Sequence, residues 1–135
     1  MPKKTPQPVV LVVDDEDAIR RMSRRILEKG GYRVMEASNG TEALALLADD
    51  TPLDLLMADL EMPELAGEEM ARRIRAARPD LKVLYVTGHI DRLFDERRLW
   101  EGEAFLDKPF TAGGLLEAVS LILYGTLKKD SPSGA

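Results

Sequence analysis

The chain of 135 residues is 44% hydrophobic and 32% charged, carries a formal net charge of -5 and contains no cysteine. That length and apolar fraction suit one domain with its own core. The acidic balance argues against a nucleic-acid surface and against an anionic membrane surface, and the missing cysteines exclude disulfides and thiolate metal sites.

"MPKKTPQPVV" brings two lysines but no apolar segment before the first strand, so residues 1–7 read as a flexible arm and not as a signal peptide. "VVLVV" (9–13) is an unbroken apolar run, as expected of a strand covered on both faces. "DAIRRMSRRILEKGG" follows as a helix, with Ile19, Met22, Ile26 and Leu27 at helical spacing and Gly30–Gly31 as its stop. "YRVMEA" (32–37) alternates and reads as a half-exposed strand. "SNGTEALALLADD" predicts a helix with Ala43, Leu44 and Leu47 inward and Asn39 or Thr41 as its cap.

"LDLLMAD" (53–59) is a second apolar strand, and it ends in an acid. "GEEMARRIRAARP" predicts a helix with Met70, Ile74 and Ala77 inward and Pro79 past its end. "LKVLYVTG" (81–88) is a third strongly apolar strand. "HIDRLFDERRLW" is a weaker helix, with Leu93, Phe94, Leu99 and Trp100 as its inner face, unless Trp100 is an exposed anchor for a partner. "EAFLDKPF" (103–110) is a short strand that stops at Pro109. "TAGGLLEAVSLILYG" is the last helix, with Leu115, Ala118, Val119 and Ile122 inward despite Gly113 and Gly114 in its first turn. The polar "LKKDSPSGA" reads as a tail or linker. No apolar stretch approaches the ~18 residues of a membrane span.

Five strands thus alternate with five helices. Alternation with short connections implies an α/β fold, a parallel sheet with helices on both faces. Such sheets bind ligands at the carboxyl ends of their strands. Asp14, Asp15, Asp59, Thr87 and Lys108 all stand at those ends. Taken singly, each has a plain structural reading: an acid can cap a helix or close a turn, a threonine can end a strand, and a lysine can be a surface charge. Asp17 reads as a cap or first-turn acid, Glu16 as solvated, and His89 as an exposed loop residue. Together they put three carboxylates, a hydroxyl and an ammonium in one cleft. Clustered carboxylates need a cation to ionise cheaply. Oxygen donors without His or Cys suit a hard ion such as Mg2+. A carboxylate beside such an ion, a lysine and a hydroxyl suits a phosphoryl group, and can itself be the nucleophile that forms an aspartyl phosphate.

"LVVDDE", "DLLMADLEMPELAG", "VLYVTG" and "FLDKPF", in that order and spacing, resemble the receiver domain of two-component response regulators over about residues 8 to 124. The resemblance implies a doubly wound, flavodoxin-like (β/α)5 fold with strand order 2-1-3-4-5. It implies Asp59 as phospho-acceptor. It implies Mg2+ held by Asp15 directly, by Asp14 mainly through water, by Asp59 and by the backbone carbonyl of Glu61. Thr87, Gly88 and Lys108 match the groups that bind the phosphoryl oxygens. Thr87 and Phe105 match the switch pair, with Phe where the commonest pattern has Tyr. The Lys108–Pro109 bond is typically cis in this family. Pro63 and Gly67 match the loop after the phospho-acceptor. Glu61 and His89 match positions that tune dephosphorylation.

The implied partners are a sensor histidine kinase or a histidine phosphotransfer protein. An effector is expected at the face of the fourth helix, fifth strand and fifth helix, which could also join two copies. The expected domain spans residues 8–124, with a tail or linker at 125–135, in a cytoplasmic protein that acts as a phospho-acceptor and not as an enzyme. Two other readings stand beside this one. "DED" (15–17) fits the D-x-D of aspartyl-phosphate phosphatases, but it leaves Asp59 unexplained. An inert receiver-like binding module would not need intact Asp14, Asp15, Asp59, Thr87 and Lys108.

Overall fold

The unbroken apolar runs form the middle of the sheet because both of its faces are covered. The computed structural model describes residues 7–62, 65–88 and 102–125. Its strands are β1 (Val9–Val13), β2 (Arg33–Ala37), β3 (Leu55–Asp59), β4 (Lys82–Thr87) and β5 (Glu103–Asp107). Its helices are α1 (Asp17–Lys29), α2 (Gly40–Leu46), α3 (Gly67–Ala77) and α4 (Ala112–Tyr124). The helix α4 is the fifth of the sequence pattern. The fourth, with His89, Leu93, Phe94, Leu99 and Trp100, lies outside the described residues, as do Pro63, residues 1–6 and residues 126–135.

The five strands pair in parallel, as their alternation with helices predicts, in the order β2-β1-β3-β4-β5 that the resemblance implies. Successive side chains of a strand point to opposite faces, and the core divides accordingly. Leu11, Val13, Leu56, Ala58, Val83 and Tyr85 meet Ala43 of α2 and Met70, Ala71 and Ile74 of α3 on one face. Val10, Val12, Leu55, Met57, Leu84 and Val86 meet Leu27 of α1 and Leu115 and Val119 of α4 on the other. Each fully buried Val, Leu or Met stabilises the fold by about 1.5–3 kcal/mol relative to exposure.

Two expected inward residues turn out to be exposed. Met22 lies on the flank of α1, and the fully buried Ser23 takes the inner position. A helix advances about 100° per residue, so 19, 23, 26, 27 and 30 define the inner stripe and 22 falls at its edge. Ala77 is exposed on α3, and Ala71 is buried in its place.

Two boundaries also move. The second helix ends at Leu46, because Arg78 reaches across to the carbonyls of Thr51 (2.6 Å) and Asp49 (3.0 Å) and ties that stretch down as a loop. Strand β3 starts at Leu55, because the Asp54 carboxylate accepts from the Val9 N–H at 2.8 Å and closes the strand entry.

The caps follow from the residue types at each end. Gly31 ends α1 at φ 98°, a conformation that favours glycine, and the Tyr32 N–H closes back on the Leu27 carbonyl at 3.0 Å. Asn39, not Thr41, caps α2, its Oδ1 accepting from the Glu42 N–H at 2.7 Å. Asn39→Ala is therefore expected to lower stability by about 1 kcal/mol, seen as a lower urea midpoint with an unchanged slope. An unchanged midpoint would show that the cap contributes nothing. No helix among the described residues is long and apolar enough to cross a membrane.

The chain runs from β1 outward to β2, then returns past β1 to β3 and on to β5. The reversal of direction lies between β1 and β3, and their carboxyl ends border the crevice where such sheets bind ligands.

Candidate functional site

The residues that leave β1 and β3 supply the acids of that crevice. Asp14 follows β1 directly, and its N–H continues the ladder to the Ala37 carbonyl at 3.2 Å. Asp59 is the last residue of β3. Each is only 3% exposed, whereas Asp15 faces solvent. Carboxylate oxygens of Asp14, Asp15 and Asp59 lie within 4.8 Å of one another. From the end of β5, Lys108 places its Nζ 3.3 Å from Asp14 Oδ2, 3.5 Å from Asp59 Oδ2 and 3.3 Å from Glu16 Oε1. The Lys108–Pro109 peptide bond is cis, as the sequence resemblance implies. The Lys108 N–H continues the sheet to the Thr87 carbonyl at 2.8 Å.

Backbone turns hold the acids in place. The Asp14 carboxylate accepts from the Glu16 N–H at 2.9 Å, and the Asp59 carboxylate accepts from the Glu61 N–H at 3.0 Å. Burial nevertheless dominates. It pushes the Asp59 carboxyl up to about 6, against the Glu61 N–H and Lys108, with the neighbouring Asp14 charge adding to the rise. Burial likewise raises Asp14, opposed by the Glu16 N–H and by Lys108. For Lys108, burial works against the ammonium, but the charges of Asp14 and Asp59 outweigh it and hold its pKa above the ordinary value. Three carboxylates thus face one ammonium. An oxygen-only donor set with surplus negative charge fits a hard divalent cation.

Thr87, the fully buried last residue of β4, donates its hydroxyl to the Glu61 carboxylate. The Gly88 N–H donates to the same carboxylate at 3.3 Å. Phe105 on β5 stacks on Tyr85 with ring centroids 5.4 Å apart, and the Tyr85 hydroxyl donates to Glu103 at 2.9 Å. The structure therefore gathers Asp14, Asp15, Asp59 and Lys108 into one cluster, joins Thr87 and Gly88 to it through Glu61, and packs the partly buried Phe105 against the core.

Two contributors escape a reading of the sequence. Glu16 is not simply solvated, since it is one of the three carboxylates on Lys108. Arg20 reaches the Asp14 carbonyl at 2.9 Å while bonding Glu36 at 3.0 Å and Asp17 at 2.7 Å. Only the Asp17–Arg20 helical spacing offered a signal for it. That same bond gives Asp17 to Arg20, so the second aspartate of the D-x-D pattern is engaged away from the cluster.

The family model for the response regulator receiver domain matches residues 10–120. The sensor kinase CckA of Brucella abortus is 35% identical over 116 residues, covering 84% of this chain and 12% of that protein. The response regulator MprA of Mycobacterium tuberculosis is 37% identical over 124 residues, covering 90% of this chain and 53% of that protein. The chain thus spans about half or less of these two relatives. The structure of the response regulator TrrA of Thermotoga maritima, in complex with Mg(2+)-BeF, superposes with a TM-score of 0.75 at 33% identity, covering 87% of this chain and 100% of that one. With its strand order, its acid cluster and a family model matched over most of its length, this chain belongs to the response regulator receiver domains, the signalling switches of two-component systems.

Proposed function

We propose that Asp59 accepts a phosphoryl group from a phosphohistidine on a sensor histidine kinase or histidine phosphotransfer protein. The observation that carries this reading is the Lys108 ammonium, 3.3 Å from Asp14 and 3.5 Å from Asp59 at the sheet's switch point. In the proposed step an Asp59 oxygen attacks phosphorus, the P–N bond of the donor breaks, and the imidazole leaves with its electron pair. The product is a mixed anhydride on Asp59. A carboxyl raised to about 6 is still ionised, and so nucleophilic, at neutral pH.

Asp14, Asp15, Asp59 and the Glu61 carbonyl are the residues that would hold Mg2+, which would neutralise charge on the phosphoryl oxygens. The oxygen-only cluster supports that choice of ion, as does the similarity to TrrA. Lys108 turns from the free carboxylates to the phosphoryl oxygens, and Thr87 and Gly88 donate to them. Phe105 has no hydroxyl to exchange partners, so its part in the switch is repacking beside Tyr85. Glu61 and His89 tune the attack of water on the anhydride. The signal leaves through β5, α4 and the fourth predicted helix, to an effector or a second copy. In this reading residues 8–124 form the receiver, a cytoplasmic phospho-acceptor rather than an enzyme acting on a separate substrate.

Incubation with acetyl phosphate and Mg2+, followed by intact-mass measurement, tests the reading. Wild type is expected to gain one phosphoryl group and Asp59→Asn none. No gain on wild type, or an equal gain on the variant, overturns it.

A further inference from the structure

Glu61 follows Asp59 by two residues, and its backbone and side chain do different things. Its N–H holds the Asp59 carboxylate at 3.0 Å. Its side chain turns toward the end of β4 and accepts from two donors there, the Thr87 hydroxyl and the Gly88 N–H at 3.3 Å. These are the two neutral donors that the proposed function assigns to the phosphoryl group. A carboxylate and a phosphoryl group offer the same thing to such donors, an anionic oxygen.

Thr87 is fully buried, so its hydroxyl needs a partner in the unmodified protein as much as in the phosphorylated one. Glu61 is exposed, so its carboxylate can exchange those donors for water at modest cost. We infer that the Glu61 carboxylate is an internal competitor that occupies the phosphoryl-binding donors of Thr87 and Gly88 until an anion on Asp59 displaces it. The inference rests on the reading of Asp59 as the phospho-acceptor. It assigns to the Glu61 side chain a role in the unmodified state, before any dephosphorylation.

Two variants separate this role from plain charge repulsion. Glu61→Ala removes the competitor and its charge. Glu61→Asp keeps the charge but is one methylene shorter and cannot reach both donors. Glu61 itself is exposed, so neither change removes apolar packing. The probe is fluoroberyllate at saturating Mg2+, a stable mimic of the phosphoryl group, with binding read by 19F NMR. A hydrogen bond to a charged group contributes enough that its loss from the competitor is expected to tighten fluoroberyllate roughly tenfold. Both variants should show it. Tightening in Glu61→Ala with no change in Glu61→Asp would assign the effect to charge and overturn the inference.

A second readout needs no ligand. In the Mg2+-free proteins the Gly88 amide resonance is expected to move upfield in both variants as its carboxylate acceptor is lost, and in wild type on adding fluoroberyllate the Glu61 side-chain carbonyl resonance is expected to shift as it is displaced. A Gly88 amide that does not move overturns the inference. Equal fluoroberyllate affinity across all three proteins also overturns it while leaving the phospho-acceptor reading intact. No binding to any of the three overturns both.

Discussion

Gly67→Ala is expected to destabilise the protein and to slow the proposed phosphorylation of Asp59, although residue 67 bears no chemistry. A methyl group built on Gly67 would stand 2.5 Å from the Asp59 carbonyl oxygen, 3.2 Å from its carbonyl carbon and 3.3 Å from the Leu60 Cα. All three are backbone atoms, so no rotamer change relieves the overlap. Gly67 is also the first residue of α3, which is anchored by the buried Met70, Ala71 and Ile74. Either α3 lifts from the sheet or the end of β3 shifts, and Asp59 is the end of β3. Overpacking of this kind costs about 1–3 kcal/mol, partly offset by the reduced freedom of alanine in the unfolded chain, about 0.4–1 kcal/mol. At roughly 4 °C per kcal/mol, the melting temperature should fall by several degrees. Gly113→Ala is the control, because nothing lies within 4 Å of the added methyl in the first turn of α4. That change should be neutral or stabilising by up to about 1 kcal/mol. Equal melting temperatures for the two variants would show that α3 yields freely and that close approach to Asp59 does not matter.

The sheet was legible because its central strands are covered on both sides, which leaves apolar runs that no exposed segment would keep. The same pattern marked Asp14 and Asp59, polar residues that end such runs, whereas Lys108 follows the partly buried edge strand β5. Legibility failed where a side chain's direction mattered more than its type. Asp14 and Asp15 are identical in chemistry, yet one is buried and the other exposed, although their carboxylates converge on the same cluster. Met22 looked like core because it is apolar, but the geometry of α1 hands that place to Ser23. Glu16 meets Lys108 across 92 residues of sequence, and no local pattern encodes that pairing. The Glu61 side chain could have pointed to solvent; its choice of Thr87 and Gly88 depends on β4 lying beside β3 in register, with Asp59 next to Val86.

Metal-free Asp59→Asn is expected to be more stable than metal-free wild type at neutral pH, and no more stable near pH 4. Burial raises the Asp59 carboxyl from 3.8 to about 6 in the folded state. The folded protein therefore keeps a proton that the unfolded chain releases between ~4 and ~6, so this group's contribution to stability falls as pH rises through that window and levels off above it. At about 1.4 kcal/mol per unit, the ionised carboxylate costs up to roughly 3 kcal/mol at pH 7. Asparagine keeps the shape and carries no charge, and it leaves Lys108 paired with Asp14 and Glu16. The carboxylates of Asp17, Glu36, Glu42 and Asp49 are shifted the other way, held below their ordinary values by hydrogen bonds to Arg20, Arg24, Ser38 and Thr51. They lose stability as pH falls, in wild type and variant alike, so the difference between the two proteins reports Asp59 together with its coupling to Asp14 and Lys108. Urea titrations in chelator from about pH 4 to 7.5 should give two curves that meet at the acid end and diverge through the window. Mg2+ should then narrow the gap. An ion bound by the folded state at a hundred times its dissociation constant adds about 2.7 kcal/mol, and wild type, with its full set of carboxylates, gains more than the variant. A variant less stable than wild type at pH 7 without metal would mean that Lys108 more than offsets burial, and that the free site holds its charges at no cost.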